Sequence, residues 1–311
     1  MVAVLVATAG CADADEDGLL GALGQVRATD STRLYVEYGD LAAIRRLSGT
    51  DQDKTDRDRF LGISGTGFSN LAPSAVPMTE DLRFDPSAMD EALVAGQPPD
   101  WVGVLWGDYD VEALDRELAD RGIPSAAALG GTRWRSGADR ELRVEGPLTG
   151  IARTNELNNL RTAPDSFVYA PARAGLDWAV LPGADTLADD PVLAALAGCL
   201  GDVVAAVFVR PEEDPTAYAV GVRAPSAAEV TDVACLAPTD AGTATRLRDR
   251  IEGELADGSA PSTRQPWSEL LPDASVDVVD GAVVRIEAKP VGPVGRVLQM
   301  LFNRDLAALA G

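Results

Sequence analysis

Val276-Asp-Val-Val-Asp-Gly-Ala-Val-Val-Arg-Ile286 is the stretch that indicates most clearly how this chain folds. Asp280 and Gly281 stand between two runs of alternating apolar residues, and an Asp-Gly pair in that setting is a strong signal of a β-hairpin. A hairpin joins antiparallel strands, whereas parallel strands need a long crossover. The carboxyl-terminal part of the chain is therefore expected to contain an antiparallel sheet.

The hairpin belongs to an order of elements that occurs twice. A strand from Asp232, a helix capped by Asp240, this hairpin and a final helix from Val294 to Leu309 follow one another. Earlier, a strand at 101–106, a helix capped by Asp110, a hairpin at 136–139, a strand and a helix form a similar series. We predict an α+β fold with two largely antiparallel sheet-plus-helix halves that are candidates for structural repeats. The expected domains are residues 28–185 and 186–311.

Composition excludes several kinds of chemistry. The chain has 27 Lys plus Arg against 49 Asp plus Glu, a net charge of −22, and no histidine. A nucleic-acid-binding protein needs a basic surface, so nucleic acid is not expected as a partner. Ser-His-Asp and Cys-His catalysis and histidine metal sites are impossible without histidine. No CxxC pair is present, so we predict no catalytic residues of these classes, no metal site and no cofactor.

Cys11 lies at the end of an apolar start and directly before an acidic run that contains Asp13 and Asp17. This order is typical of an export signal, a cysteine that receives lipid, and a solvated tether. Residues 1–27 are therefore expected to form a signal remnant, the lipid-attachment residue Cys11 and a tether. Met1–Gly10 lacks the basic flank of a secretory signal, and Thr8 replaces the usual aliphatic residue. The alternative is that the apolar start forms a buried strand.

Cys199 and Cys235 remain when Cys11 is set aside. An exported protein can join two such cysteines, and in the chain-entropy model a loop of this length contributes roughly 3–4 kcal/mol. We predict a disulfide, with two buried free thiols as the alternative. No run of ~20 apolar residues appears, so no transmembrane helix is expected and the membrane would be reached through lipid alone.

Residues 60–77 are rich in Gly, Ser, Asn and Pro. Gly62, Gly65 and Gly67 do not have phosphate-loop spacing, so an ordinary loop is predicted. Because exposed loops often carry binding residues, these three glycines and Phe68 form a candidate partner loop. The aromatic pairs Trp101/Trp106 and Tyr35/Tyr38, each expected on one strand face, are either core residues or ligand contacts.

Three stretches together resemble a group of uncharacterised secreted lipoproteins of actinobacteria. They are Tyr35-Val-Glu-Tyr-Gly-Asp-Leu-Ala-Ala, Val104-Leu-Trp-Gly-Asp-Tyr-Asp with its helix, and Leu187-Ala-Asp-Asp-Pro-Val through Cys199-Leu-Gly-Asp-Val-Val-Ala-Ala. The resemblance implies export, a lipid anchor and an extracytoplasmic location at the cell membrane. It supplies no catalytic or binding residues.

These observations favour a lipid-anchored envelope protein that is a non-enzymatic binding or scaffold module for another protein or an apolar ligand. The alternative is an extracytoplasmic hydrolase with paired carboxylates. A cleft holding two carboxyl groups, one with a raised pKa, would support that alternative. A third hypothesis, an acidic cytoplasmic protein of a salt-adapted organism, predicts free thiols and no acyl group.

Overall fold

The strands in the described part of this chain form one 12-stranded sheet. The computed structural model describes residues 18–49, 58–142, 145–152, 154–180 and 185–311. The strands are β1 Tyr35–Asp40, β2 Glu91–Gln97, β3 Asp100–Trp106, β4 Ser125–Ala128, β5 Gly131–Arg135, β6 Asn159–Ala163, β7 Ser166–Ala170, β8 Ala205–Val209, β9 Ala217–Ser226, β10 Glu229–Ala237, β11 Ser275–Val279 and β12 Val283–Ala288. Their order across the sheet is β11-β12-β10-β9-β8-β1-β2-β3-β7-β6-β5-β4, and all neighbouring strands are antiparallel.

Helices cover both faces of the sheet. The described helices are α1 Leu19–Gly24, α2 Leu41–Leu47, α3 Ala75–Leu82, α4 Val111–Asp120, α5 Arg173–Val180, α6 Pro191–Leu200, α7 Ala241–Asp257, α8 Trp267–Leu270, α9 Arg296–Phe302 and α10 Asp305–Ala310. Apolar side chains on one face of the sheet pack with α2, α3, α4 and α7–α10, and those on the other face pack with α1, α5 and α6. The α+β class and the largely antiparallel sheet are confirmed.

The hairpin at Asp280-Gly281 is present. Val279 of β11 pairs with Val283 of β12, and Asp280 and Gly281 both have positive φ, 48° and 74°. Aspartate and glycine tolerate this backbone region better than most residues do. The predicted helix caps are also present, since the Asp110 and Asp240 carboxylates accept hydrogen bonds from the backbone N–H groups of Ala113 and Thr243.

The two halves repeat a topology within the single sheet. β1-β2-β3 is a meander followed by α4, and the later strand β7 returns beside β3. β8-β9-β10 is a meander followed by α7, and β12 returns beside β10. The halves meet where β1 pairs with β8. The boundary between residues 185 and 186 stays a prediction, and both core clusters contain residues from its two sides.

Three expected elements differ from the structure. Asp85 before Pro86 is a sequence signal for a helix start and predicts a helix that continues through 87–95, but only a 3₁₀ turn, Pro86–Ala88, forms before β2. The apolar residues of β2 are buried between β1 and β3, and sheet pairing outweighs local helix propensity. The turn at 136–139 does not form a tight hairpin, because the strand that follows β5 and pairs with it, β6, begins only at Asn159.

The expected last helix is two helices. Arg304 has a φ of 61° and separates α9 from α10. Asp232 of β10 lies under the start of α9, where its carboxylate accepts the backbone N–H of Gly295 at 3.3 Å. The backbone N–H groups of Arg296 and Val297 also donate to it, yet burial dominates and raises the pKa of Asp232 to about 6.

The amino-terminal region begins with a packed helix. Residues 19–26 were included in the expected tether, but Leu19, Leu23 and Val26 are buried in the core. Cys11 lies outside the described residues. The predicted pair Cys199–Cys235 is at disulfide-bonding distance, with 2.00 Å between the sulfurs, and connects α6 to β10.

Candidate functional site

Glu37 is a buried carboxylate in the middle of an apolar sheet. It lies on β1, one of the central strands, and only 3% of its surface is exposed. One residue from each strand shares its register and its face of the sheet. From edge to edge this row is Val276, Ile286, Ala234, Val220, Val207, Glu37, Val94, Gly103, Tyr169, Leu160, Trp134 and Ser125. Burying a charge among such neighbours is costly unless other groups compensate it.

The loop that follows α2 supplies those groups. At Gly67 the chain passes so close to the sheet that an added Cβ would lie 2.6 Å from the Ala92 carbonyl oxygen, and φ is +93°. Gly39 meets the same loop on β1, where an added Cβ would lie 2.1 Å from the Thr66 carbonyl oxygen. Only glycine permits this approach and this backbone conformation. Two glycines therefore allow the loop to reach the carboxylate.

Four donors surround the Glu37 carboxylate. The Gly67 N–H donates to Oε1 at 2.8 Å, while the Ser69 hydroxyl and the Tyr35 hydroxyl donate to Oε2 at 2.6 and 3.0 Å. The Ser69 backbone N–H donates as well. No arginine or lysine in the described ranges forms an ion pair with Glu37. The carboxylate is thus held by hydrogen bonds alone.

Burial is the largest influence on the proton affinity of this group. It raises the pKa of the Glu37 carboxyl above its usual range, although the hydrogen bonds from Ser69, Gly67 and Tyr35 act in the lowering direction. Burial also raises the pKa of the Tyr35 hydroxyl, and the nearby Glu37 carboxylate adds to this effect. A raised carboxyl pKa together with nearby hydroxyl groups is characteristic of sites that bind or transfer protons.

Tyr169 extends the polar network along the sheet. Its ring covers Gly103 of β3, where an added Cβ would lie 2.1 Å from the ring Cζ. Its hydroxyl donates to the Asn70 side-chain oxygen at 2.7 Å, and its ring meets Trp101 edge to face with 5.6 Å between centroids. Gly103 therefore creates the space that directs the tyrosine toward the loop.

A cleft of about 660 Å³ opens above this network. Tyr35 and Glu37 of β1, Val94 of β2 and Trp101 of β3 line it from the sheet. The loop residues 69–70, the β2–β3 turn with Pro98 and Pro99, and residues 140, 142 and 154–156 complete its walls. This size is within the range of small-molecule sites, and an apolar lining with a few buried polar groups is their usual chemistry.

Two charged groups at the rim complete the cleft. The Arg140 guanidinium donates to both oxygens of Asp100 at 2.8 and 2.9 Å. Glu156 accepts hydrogen bonds from the backbone N–H and the hydroxyl of Thr154, at 2.8 and 3.1 Å. Leu142 is 73% exposed beside them. An apolar side chain in water at the edge of a cleft is a natural contact for an apolar ligand.

The candidate partner loop needs correction at two positions. Phe68 is a core residue with 2% exposure, and Gly67 is buried against the sheet. Neither can contact a partner directly. Gly62 is exposed and Gly65 half-buried, so their proposed role stays a prediction. The same loop instead forms part of the cleft through Ser69 and Asn70, a role that its composition did not indicate.

The aromatic pairs are not each on one strand face. Tyr35 and Trp101 contact the core on the cleft side, whereas Tyr38 and Trp106 belong to the opposite side. Sequence separations of three and five residues place the members of a pair on opposite faces of a strand. One member of each pair therefore lines the cleft and the other does not.

The described ranges contain neither a metal-binding cluster nor a membrane-spanning helix. There, no group of three or more Cys, Asp or Glu side chains is arranged to hold a metal ion. None of the described helices has both the length and the apolar composition needed to cross a bilayer.

Comparison with known proteins identifies no family for this chain. No family model matches the chain, and no curated protein matches it significantly. Among solved structures, the chain is similar to crystal form I of TP0453, with a TM-score of 0.41, 11% identity, and coverage of 93% of this chain and 98% of that chain. A likeness this low carries no statement about function.

Proposed function

We propose that this chain is a lipid-anchored protein of the cell envelope that acts as a non-enzymatic binding module and holds an apolar ligand in the Glu37 cleft. The observation that carries the proposal is the cleft, about 660 Å³ with Trp101 and Val94 among its lining. The network around Glu37 fixes the floor, so that the cleft has a defined shape before a ligand enters. Pre-formed sites lose less conformational freedom on binding.

The ligand hypothesis is tested at the rim, where substitution leaves the core intact. Leu142→Asp places a charge in the path of an apolar ligand, and Leu129→Asp is the matched control because Leu129 is 68% exposed and does not line the cleft. Native mass spectrometry of protein purified from its own host should detect a bound molecule in the wild type and in the Leu129 variant, but not in the Leu142 variant. The same occupancy in all three proteins would contradict the proposal.

The location rests on Cys11 and on the cysteine pair. Disulfides persist mainly outside the reducing cytosol, so the Cys199–Cys235 pair supports an extracytoplasmic protein and opposes the cytoplasmic hypothesis. The intact mass of the native protein should include an acyl modification at Cys11 and be lower by the two protons of a disulfide. Cys11→Ser should move the protein from the membrane fraction to the soluble fraction, whereas Ala12→Ser should not. Retention of the Cys11→Ser variant would refute the anchor.

A hydrolase is the second candidate function, because the cleft holds two carboxyl groups and one of them has a raised pKa. Glu37 and Glu156 both line the cleft, and the pKa of Glu37 is raised by burial. Both Glu37 oxygens already accept hydrogen bonds, which suits a fixed floor better than a proton donor. Hydrolysis of a glycoside that is abolished by either Glu37→Gln or Glu156→Gln would favour this candidate over the binding module.

A further inference from the structure

A second pocket on the opposite face of the sheet is rich in arginine. It has a volume of about 380 Å³ and is lined by Arg133 and Arg135 of β5 and by Arg173 at the start of α5. Side chains alternate along a strand, so Arg133 and Arg135 point away from the face that Trp134 shares with Glu37. Among the described residues, Asp139 is the single acidic one that lines the pocket. The pocket therefore carries a positive charge in a chain whose net charge is −22.

Most of this positive charge has no partner among the described residues. Within the described part of the chain, the guanidinium groups of Arg133 and Arg173 take part in no hydrogen bond or ion pair. Asp139 instead accepts hydrogen bonds from the side-chain amide of Asn159 and from the backbone N–H of Arg173, both at 3.1 Å. Arg135 donates through Nε to the Gly137 carbonyl at 3.2 Å. Several N–H donors are thus free to meet a ligand.

The position of Arg133 is unfavourable for the fold alone. It lies directly across from Arg161 of β6, and like charges in opposed positions of a sheet are destabilising. The Arg161 guanidinium is satisfied by the Leu129 carbonyl and the Ser166 hydroxyl. Arg133 has no comparable contacts in the described ranges. An anion bound from outside would relieve this repulsion and supply the partner that Arg133 lacks in the described ranges.

We propose that the pocket of Arg133, Arg135 and Arg173 binds a phosphate group. Guanidinium groups present paired N–H donors that match the oxygens of phosphate. This site is separate from the Glu37 cleft and does not depend on the function proposed there. The phosphate group can come from a free ion or from a lipid headgroup, since both offer the same oxygens.

The first experiment measures phosphate binding by calorimetry on the full chain at constant ionic strength. Arg133→Gln with Arg173→Gln should weaken binding of inorganic phosphate by tenfold or more, since about 1.4 kcal/mol corresponds to a factor of ten and a charged hydrogen bond contributes at least that. Arg83→Gln with Arg116→Gln is the control, because it removes the same charge on the other side of the sheet. Circular dichroism establishes that both double variants are folded.

A second arm distinguishes the source of the phosphate. Co-sedimentation with phosphatidic acid vesicles, against neutral phosphatidylcholine vesicles, tests a headgroup. The pocket is assigned to a lipid headgroup if the wild type binds the vesicles but not the free ion, and if the Arg133/Arg173 variant loses vesicle binding while the control variant keeps it. Loss of free-ion binding in that variant alone assigns it to a soluble phosphate. The proposal is overturned if the wild type binds neither probe, or if both double variants lose binding equally.

Discussion

Replacing Gly67 by alanine should destabilise the protein far more than the same change at Gly65, two residues earlier on the same loop. At Gly67 the new Cβ would lie 2.6 Å from the Ala92 carbonyl oxygen and 2.7 Å from the Gly39 nitrogen, with φ at +93°. Both are backbone atoms of paired strands, so they cannot move away without disturbing the sheet. At Gly65 the new Cβ would meet the Ala72 Cβ at 3.4 Å, an ordinary contact.

The expected loss of stability in Gly67→Ala is the sum of two costs. Holding alanine in a positive-φ conformation costs about 1–3 kcal/mol. If the loop lifts to relieve the contacts, the buried Glu37 carboxylate loses the Gly67 N–H, and an unsatisfied buried acceptor costs about 1–3 kcal/mol. Together these reach about 2–6 kcal/mol, a large share of the ~5–15 kcal/mol that stabilises an ordinary domain. Gly65→Ala should stay within about 1 kcal/mol of the wild type, because it also restricts the unfolded chain.

Urea unfolding followed by tryptophan fluorescence measures both variants. The loop and the carboxylate are coupled, so Gly67→Ala and Glu37→Gln combined should cost less than the sum of the single changes. Equal stability of the Gly65 and Gly67 variants would refute the close approach of the loop to the sheet. Strict additivity in the double variant would refute the role of Glu37 in holding the loop.

Further predictions concern the disulfide, a buried acid and the tyrosine network. Replacing Cys199 and Cys235 by serine should lower the free energy of unfolding by roughly 3–4 kcal/mol in non-reducing urea titrations, and reductant should then have no further effect. The raised pKa of Asp232 means that the folded state binds more protons than the unfolded state between the ordinary value of 3.8 and about 6. Its stabilising contribution therefore falls as pH rises through that window, and the free energy of unfolding of Asp232→Asn relative to the wild type should rise by roughly 2.5 kcal/mol between pH 4 and pH 8; a constant difference would contradict this. Gly103→Ala should displace the Tyr169 ring, cost about 1–3 kcal/mol and alter the near-ultraviolet circular dichroism, whereas an unchanged spectrum would show that the ring does not depend on that glycine.

Local chemistry made much of the fold predictable. Asp280-Gly281 defines a turn whose positive φ values few other residues adopt, and Asp110 and Asp240 mark helix starts because their carboxylates accept backbone N–H groups three residues ahead. Such signals depend on neighbours in sequence, so a single sequence contains them in full. The helix expected through 87–95 was wrong for the converse reason. Its strand conformation depends on β1 and β3, which pair with it from both sides.

The site could not be predicted in the same way. Glu37 appears in the sequence as one polar residue in a strand, and its burial results from a loop whose contact residue, Gly67, lies thirty positions later. The composition of the segment 60–77 led us to expect that Gly67 and Phe68 are exposed. In the structure both residues are buried against the sheet. Pairing of Cys199 with Cys235 was predictable because only two cysteines remain once Cys11 is set aside. A cleft built from five separate segments has no comparable signal in sequence.

The pairing of β1 with β8 has a consequence for how this chain folds. Most strand pairs lie within one half, whereas Tyr35 pairs with Val209, roughly 170 residues away, and the entropy of closing a long loop makes such contacts slow to form. Each meander can therefore assemble before the two halves meet. Since Glu37 lies on β1 opposite Val207 of β8, its strand gains a neighbour on its second side only through this pairing. We expect the Glu37 carboxylate to reach its native burial only when the two halves have joined.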